Sequence, residues 1–124
     1  MPLEIVAIDH VQIAVPRARE AECLLFYRNV LGLAEIEKPP ASRTHGGAWF
    51  EVGPVQLHVG VDADPSPKSK RHVCFLVGSL EKARAELGAH GIVVEEGSST
   101  EGARRLFIRD PANNRIEIAQ RQAC

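Results

Sequence analysis

The chain repeats a pattern without repeating its letters, and that recurrence constrains its fold more than any single motif does. His10-Val11 opens one strand-like run and His72-Val73 opens another, an offset of 62 from position 10 to 72. The helix-closing glycines, Gly32 and Gly91, are offset by 59. Val55-Gln56-Leu57 corresponds to Ile116-Glu117-Ile118 at an offset of 61 from position 56 to 117. Offsets this similar at three landmarks indicate an internal duplication.

Each half reads as a strand, a helix and three more strands. In the first, residues 5–15 alternate: Val11, Ile13 and Val15 share one face, and His10, Gln12 and Ala14 the other. Pro16 ends that strand. Residues 18–31 carry Leu24, Tyr27 and Leu31 at helical spacing, with Cys23 and Val30 beside them, before the Gly32 cap. Strands over 33–37, 48–52 and 55–61 follow, separated by Pro39-Pro40 and Gly53-Pro54. Residues 62–70 are polar and proline-bearing, as in a linker.

In the second half, a strand over 72–77 leads to Ser79, an N-cap for a helix through Leu80, Ala83 and Leu87. Strands over 92–95, 104–108 and 115–120 follow, divided by residues 97–102 and by the turn Asp110-Pro111-Ala112-Asn113-Asn114. The expectation is an α+β fold, one domain over 1–124 made of two βαβββ units at about 4–61 and 71–120.

Bulk properties narrow the function. At 124 residues the chain suits one ordinary domain, and 44% hydrophobic with 25% charged residues suits a globular protein. A net charge of -1, from 15 basic and 16 acidic residues, gives no footprint for nucleic acid or an anionic membrane. No apolar run approaches membrane-spanning length. Met1-Pro2-Leu3-Glu4 lacks a basic signal-peptide region. Cys23, Cys74 and Cys124 form no C-x-x-C pair, and their odd number argues against a disulfide framework. The expected location is the reducing cytoplasm.

The duplication turns four polar residues into two equivalent pairs. His10 and His72 hold the same place in the first strand of each unit, and Gln56 and Glu117 the same place in the last. All four interrupt apolar strands. A lone strand histidine is more often structural than a ligand, and Gln56 alone would be an ordinary outward-facing residue. A buried Glu117 is costly unless paired or metal-bound, with Arg115 on its face as the neighbouring candidate partner. Shared positions in two repeats tip the balance toward one divalent ion. Two imidazoles, an amide oxygen and a carboxylate suit zinc, nickel, cobalt, manganese or ferrous iron.

Four blocks carry a resemblance: Ile8-Asp9-His10-Val11-Gln12-Ile13-Ala14-Val15, Phe26-Tyr27-Arg28-Asn29-Val30-Leu31-Gly32-Leu33, His72-Val73-Cys74-Phe75, and Asp110-Pro111-Ala112-Asn113-Asn114-Arg115-Ile116-Glu117-Ile118. Over nearly its whole length the chain resembles the vicinal oxygen chelate superfamily of glyoxalase I, methylmalonyl-CoA epimerase, fosfomycin-resistance enzymes, extradiol dioxygenases and bleomycin-resistance proteins. The resemblance implies a curved mixed sheet around a metal cavity, with ligands at His10, Gln56, His72 and Glu117. It implies a small substrate chelated through neighbouring oxygens on an ion that keeps a surplus positive charge. Acid–base work falls to Glu117 or to a residue nearby.

By strand period, Gln12, His58 and Cys74 each lie two positions from a ligand position and face the same cavity. His58 is the candidate base, with a supporting or merely lining role as its rival reading. Cys74 reads as a small cavity-lining residue, since nothing adjacent would lower its pKa. Arg71-His72 departs from the tandem histidines of the epimerases. Ser99-Thr100-Glu101-Gly102 resembles the potassium loop of fosfomycin thiol transferases, but Arg105 and Leu106 stand where those usually have aromatic residues. The expected function is a metal-dependent lyase or isomerase, with a non-catalytic drug-binding protein and a small Fe(II) extradiol-type dioxygenase as alternatives. The resemblance also implies a homodimer, through exchange or side-by-side pairing of units.

Overall fold

The computed structural model of the chain describes residues 2–63, 68–98 and 103–121. The centre of the linker (64–67), the 99–102 stretch and Cys124 lie outside the described residues. The chain divides into two units, Met1–Ala63 and Asp64–Cys124, each with its own four-stranded mixed sheet.

In unit one, β1 (His10–Val15) is followed by a 3₁₀ turn (Arg17–Arg19), α1 (Glu20–Leu25) and a π-helical turn (Phe26–Val30). Next come β2 (Ala34–Ile36), a second 3₁₀ segment (Pro40–His45), β3 (Ala48–Val52) and β4 (Val55–Val61). The sheet order is β1-β4-β3-β2, with β1 parallel to β4 and the other pairs antiparallel. A parallel pair needs a long crossover, which the helix and the β2–β3 hairpin supply.

One face of this sheet is the core: Val15, Ala48, Phe50, Leu57 and Val59 are buried with Cys23, Leu24, Phe26 and Tyr27. The Tyr27 and Phe50 rings lie 6.1 Å apart. Alternation then places His10 and Gln12, Gln56 and His58, and Trp49 and Glu51 together on the opposite face.

Three local expectations change. The helix over 18–31 is not uniform: the Leu31 N–H donates to the Phe26 carbonyl at 3.0 Å, five residues back. Phe26 and Tyr27, at this wider turn, are both buried. The Pro39-Pro40 break opens a 3₁₀ segment, because Pro40 at its first position forfeits no helical hydrogen bond. Residues 5–9 are not strand. β4 begins at Val55, so pairing starts only at His10, and Leu3, Ile5, Val6 and Ile8 remain exposed.

In unit two, β5 (His72–Leu76), α2 (Leu80–Ala89), β6 (Glu95–Glu96), β7 (Ala103–Arg109) and β8 (Arg115–Arg121) form a sheet ordered β5-β8-β7-β6. Its core is largely aliphatic: Leu80, Leu87, Leu106, Ile108, Ile116 and Ile118, with Phe75. Ser79 caps α2, its hydroxyl accepting from the Lys82 N–H at 3.2 Å. The Leu80 N–H donates to Gln120 Oε1 at 2.7 Å, tying the helix start to β8. β6 is shorter than the expected 92–95, because the Ile92 N–H closes the helix on the Leu87 carbonyl at 2.9 Å.

The turn before β8 is built on buried Asp110. Its Oδ1 accepts from the Ala112 and Asn114 N–H groups, both at 2.9 Å, and Oδ2 from Asn114 Nδ2 at 2.9 Å. Asn113 takes a positive φ of 71° there. This turn sets where β8 enters the sheet and hence where Glu117 falls.

Candidate metal centre

Each unit assembles a pair of the expected donors on its open face. In unit one, parallel pairing puts His10 directly opposite Gln56 and Gln12 opposite His58. His10 Nδ1 lies 2.8 Å from Asp9 Oδ2. A carboxylate only accepts, so Nδ1 is the donor, which leaves Nε2 as the nitrogen that a metal would take. Gln56 Oε1 accepts from His58 Nε2 at 2.9 Å.

His58 is buried and flanked by rings. His10 stacks on it at 4.1 Å and 12°, and Trp49 at 3.8 Å and 3°. Burial, with the nearby charges of His10 and Lys38 adding to it against an opposing pull from Asp9, holds the His58 imidazole below its ordinary range. His58 is therefore a neutral group whose Nε2 is committed to Gln56.

In unit two, His72 Nδ1 lies 2.8 Å from the Lys70 carbonyl, an obligate acceptor, and its Nε2 lies 2.9 Å from Glu117 Oε1. Once Nδ1 holds a proton, Nε2 and the carboxylate are two electron-pair donors face to face. That juxtaposition needs either a proton shared between the two groups or a metal ion. Two donors bound cis to one ion at about 2.1 Å each stand about 3 Å apart, so the observed spacing fits a metal edge. The donor chemistry of both units fits a divalent ion.

Glu117 is only 8% exposed, and its partners correct one expectation. The second cation near it is Arg105, with Nη1 3.7 Å from Oε2, and not Arg115. Arg115 sits opposite His72 in register, and its guanidinium lies 3.9 Å over the Phe107 ring. Phe107 is the residue opposite Glu117, which makes Arg105 its diagonal neighbour.

A second correction concerns equivalence. Glu117 is opposite Cys74, two residues beyond the register partner of His72, whereas Gln56 is directly opposite His10. By register the counterpart of Glu117 is therefore His58. Two residues are one full strand period, so the face is preserved while the position shifts. The five-residue turn at 110–114, against two residues at Gly53-Pro54, accompanies this slip.

Gln12 lies across Gly60, where an added Cβ would meet its Nε2 at 2.6 Å. Cys74 is an exposed, free thiol pushed up by desolvation and then by the Glu117 charge, so it stays protonated and is no nucleophile. Among the described residues no three His, Cys, Asp or Glu side chains gather into one metal-binding group. Sequence reasoning missed Asp9 and Lys70, which orient the histidines. Asp9 was visible only as the neighbour of His10, and Lys70 acts through its backbone. It also missed Trp49, which two-residue spacing from Glu51 puts on the open face once β3 pairs with β4.

Comparison with known proteins bears on the family and the fold. The family model for the glyoxalase/bleomycin resistance protein/dioxygenase superfamily matches residues 7–118. No curated protein sequence matches the chain. A solved structure from Bacillus anthracis, described as a putative glyoxalase family protein, is 34% identical, with a TM-score of 0.89 over 98% of this chain and 100% of that one. The lactoylglutathione lyase of Agrobacterium tumefaciens is 24% identical at TM-score 0.72, covering 95% of this chain and 96% of that one. TnmS3, an antibiotic binding protein from Streptomyces sp. CB03234, is 18% identical at TM-score 0.76, covering 98% and 100%. The last two show the fold alone. Among the described residues no helix is long and apolar enough to cross a membrane. On the match across residues 7–118 and the 34% identity over nearly the full length, the chain belongs to the glyoxalase/bleomycin resistance protein/dioxygenase superfamily.

Proposed function

We propose that the chain is a metal-dependent enzyme of glyoxalase type, a lyase or isomerase, in which His10, Gln56, His72 and Glu117 hold one divalent ion. The observation that carries this reading is the 2.9 Å approach of His72 Nε2 to Glu117 Oε1 while Nδ1 is held on the Lys70 carbonyl. Zinc, nickel, cobalt, manganese and ferrous iron all suit the donor set. When bound, the ion supplies Lewis-acid stabilisation of a developing oxyanion on a substrate that chelates through neighbouring oxygens.

The chain's own residues orient and move protons. Asp9 and the Lys70 carbonyl fix the two imidazoles, and His58 holds the Gln56 oxygen. The proton transfer falls to Glu117 or to His58. For His58 it would run through Nδ1, because Nε2 is committed. Location in the cytoplasm accords with the free thiol of Cys74. The exposed side chains of Leu3, Ile5, Val6 and Ile8 give a second copy an apolar strip to cover, which supports a homodimer.

One observation favours sequestration of a flat molecule instead. The Trp49–His58–His10 stack is an aromatic surface of the kind a planar drug would lie on. The two readings separate on ligand binding. A hydroxamate should bind metal-loaded protein and not the His10→Ala variant. His58→Ala should lower turnover by about 10²-fold with metal content intact, if His58 is the base; unchanged turnover would move that role to Glu117. Failure of every chelating anion, alongside tight binding of a flat aromatic antibiotic, would replace the enzyme reading with sequestration.

A further inference from the structure

Beside the ring stack of unit one lies a cavity of ≈ 250 Å³, lined by Gln12, Lys38, Ser42, His45, Trp49 and Gly60 among others. It is smaller than the roughly 300–1,000 Å³ of sites that enclose whole ligands, so it suits one end of a molecule. One wall is the Trp49 ring, whose stacking on His58 joins the cavity to the donor pair of unit one. Gln12 lies across the side-chain-free Gly60.

The opposite rim is the segment that sequence reasoning treated as a break. Lys38 Nζ donates to the Gly46 carbonyl at 2.5 Å, which fixes the ammonium at the rim. Gly46 and Gly47 both need positive φ there (73° and 76°), and a Cβ on Gly47 would come within 1.9 Å of the Val59 carbonyl. Among the described residues no carboxylate pairs with Lys38, and two of its three N–H groups remain for a ligand. Glu20, which lies against Gly46 and Gly47, is turned to the backbone, its Oε2 accepting from the Gly47 N–H at 2.7 Å. Glu37 is paired with Arg43.

We propose that this cavity binds the carboxylate end of a small organic acid, with Lys38 as counter-ion, Gln12 and Ser42 as neutral donors, and Trp49 as the flat wall for its stem. One cation without an arginine fork matches a single negative charge better than a phosphate dianion. The role as a substrate subsite rests on the enzyme reading above; binding of the acid itself does not. It makes the preferred substrate a small acid whose far end reaches the His10 side.

Trp49 is the only tryptophan of the chain, so its fluorescence reports this cavity directly. The test titrates butyrate and phenylacetate, then their amides, into chelator-treated protein. The acids should shift Trp49 emission saturably, with the amides bound at least about tenfold more weakly. Lys38→Gln, which keeps a donor for the Gly46 carbonyl, should weaken the acids to a similar degree, and Lys38→Arg should restore them. Equal binding of acid and amide, unchanged affinity in Lys38→Gln, or no saturable response would overturn the proposal. Because no metal is present, such a failure leaves the metal reading standing. Loss of the metal reading would likewise leave a positive titration intact.

Discussion

Unit one and unit two share an order of elements but fill their open faces differently. Unit one carries rings and amides, His10, His58 and Trp49 beside Gln12 and Gln56, and buries aromatic side chains behind them. Unit two carries a polar cluster, His72, Glu117 and Arg105, over a mainly aliphatic core. The direct pairing of His10 with Gln56 becomes, in unit two, a two-residue slip that sets Glu117 opposite Cys74. Duplication has kept which face each donor occupies and relaxed where along the strand it stands.

The largest expected effect tests the contrast in cores. Phe50, fully buried against Tyr27, should cost about 3–5 kcal/mol as Phe50→Ala, and Leu106→Ala in unit two about 2–5 kcal/mol. Urea denaturation of both variants reads the two values. A loss below about 1 kcal/mol for Phe50→Ala would mean that the ring cluster does not hold unit one together.

The helix starts differ next. Ser79 caps α2, whereas the residue before α1, Arg19, makes no side-chain cap bond. Ser79→Ala should therefore lower the unfolding free energy by about 1 kcal/mol, while Arg19→Ala should leave it nearly unchanged. Equal losses in the two variants would erase this difference between the units.

The smallest effect concerns surface charge. In unit one, the hydrogen bond from Arg28, with its charge, holds the Glu35 carboxyl below its ordinary range despite partial burial. A lowered folded-state pKa contributes stability that is present above the unfolded pKa and lost as pH falls through the folded one. Glu35→Gln should cost about 0.5 kcal/mol at neutral pH, since the pair is solvent-screened. The difference from wild type should vanish as pH drops below the ordinary carboxylate range. In unit two Glu81, shared by Arg84 and Arg104, shifts in the same direction. A wild-type-to-variant gap that widens in acid would contradict the assignment.

Much of this was legible from letters. Alternation put His10 and Gln12, and Gln56 and His58, on one face, and β3 and β4 run over the expected 48–52 and 55–61. Ser79, Gly32 and Gly91 were recognisable because caps depend on local chemistry, and both glycines do take positive φ. Register was not legible. It depends on how the turn around Asp110 feeds β8, and a shift of two residues leaves the hydrophobic pattern unchanged. The Arg105–Glu117 pairing was hidden for the same reason: diagonal neighbours follow from register, not from spacing along one strand. The 3₁₀ segment, and the role of Lys38 just before it, were missed because a double proline reads equally as a break and as a helix start.

Metal content tests the central proposal, that His10, Gln56, His72 and Glu117 hold one divalent ion. Protein purified without chelator and analysed by elemental mass spectrometry should carry about one divalent transition metal per chain. Removing a donor from either unit, as His10→Ala or as His72→Ala, should each abolish most of it. Full metal content in either variant, or none in the wild-type protein under metal-replete conditions, would contradict the account.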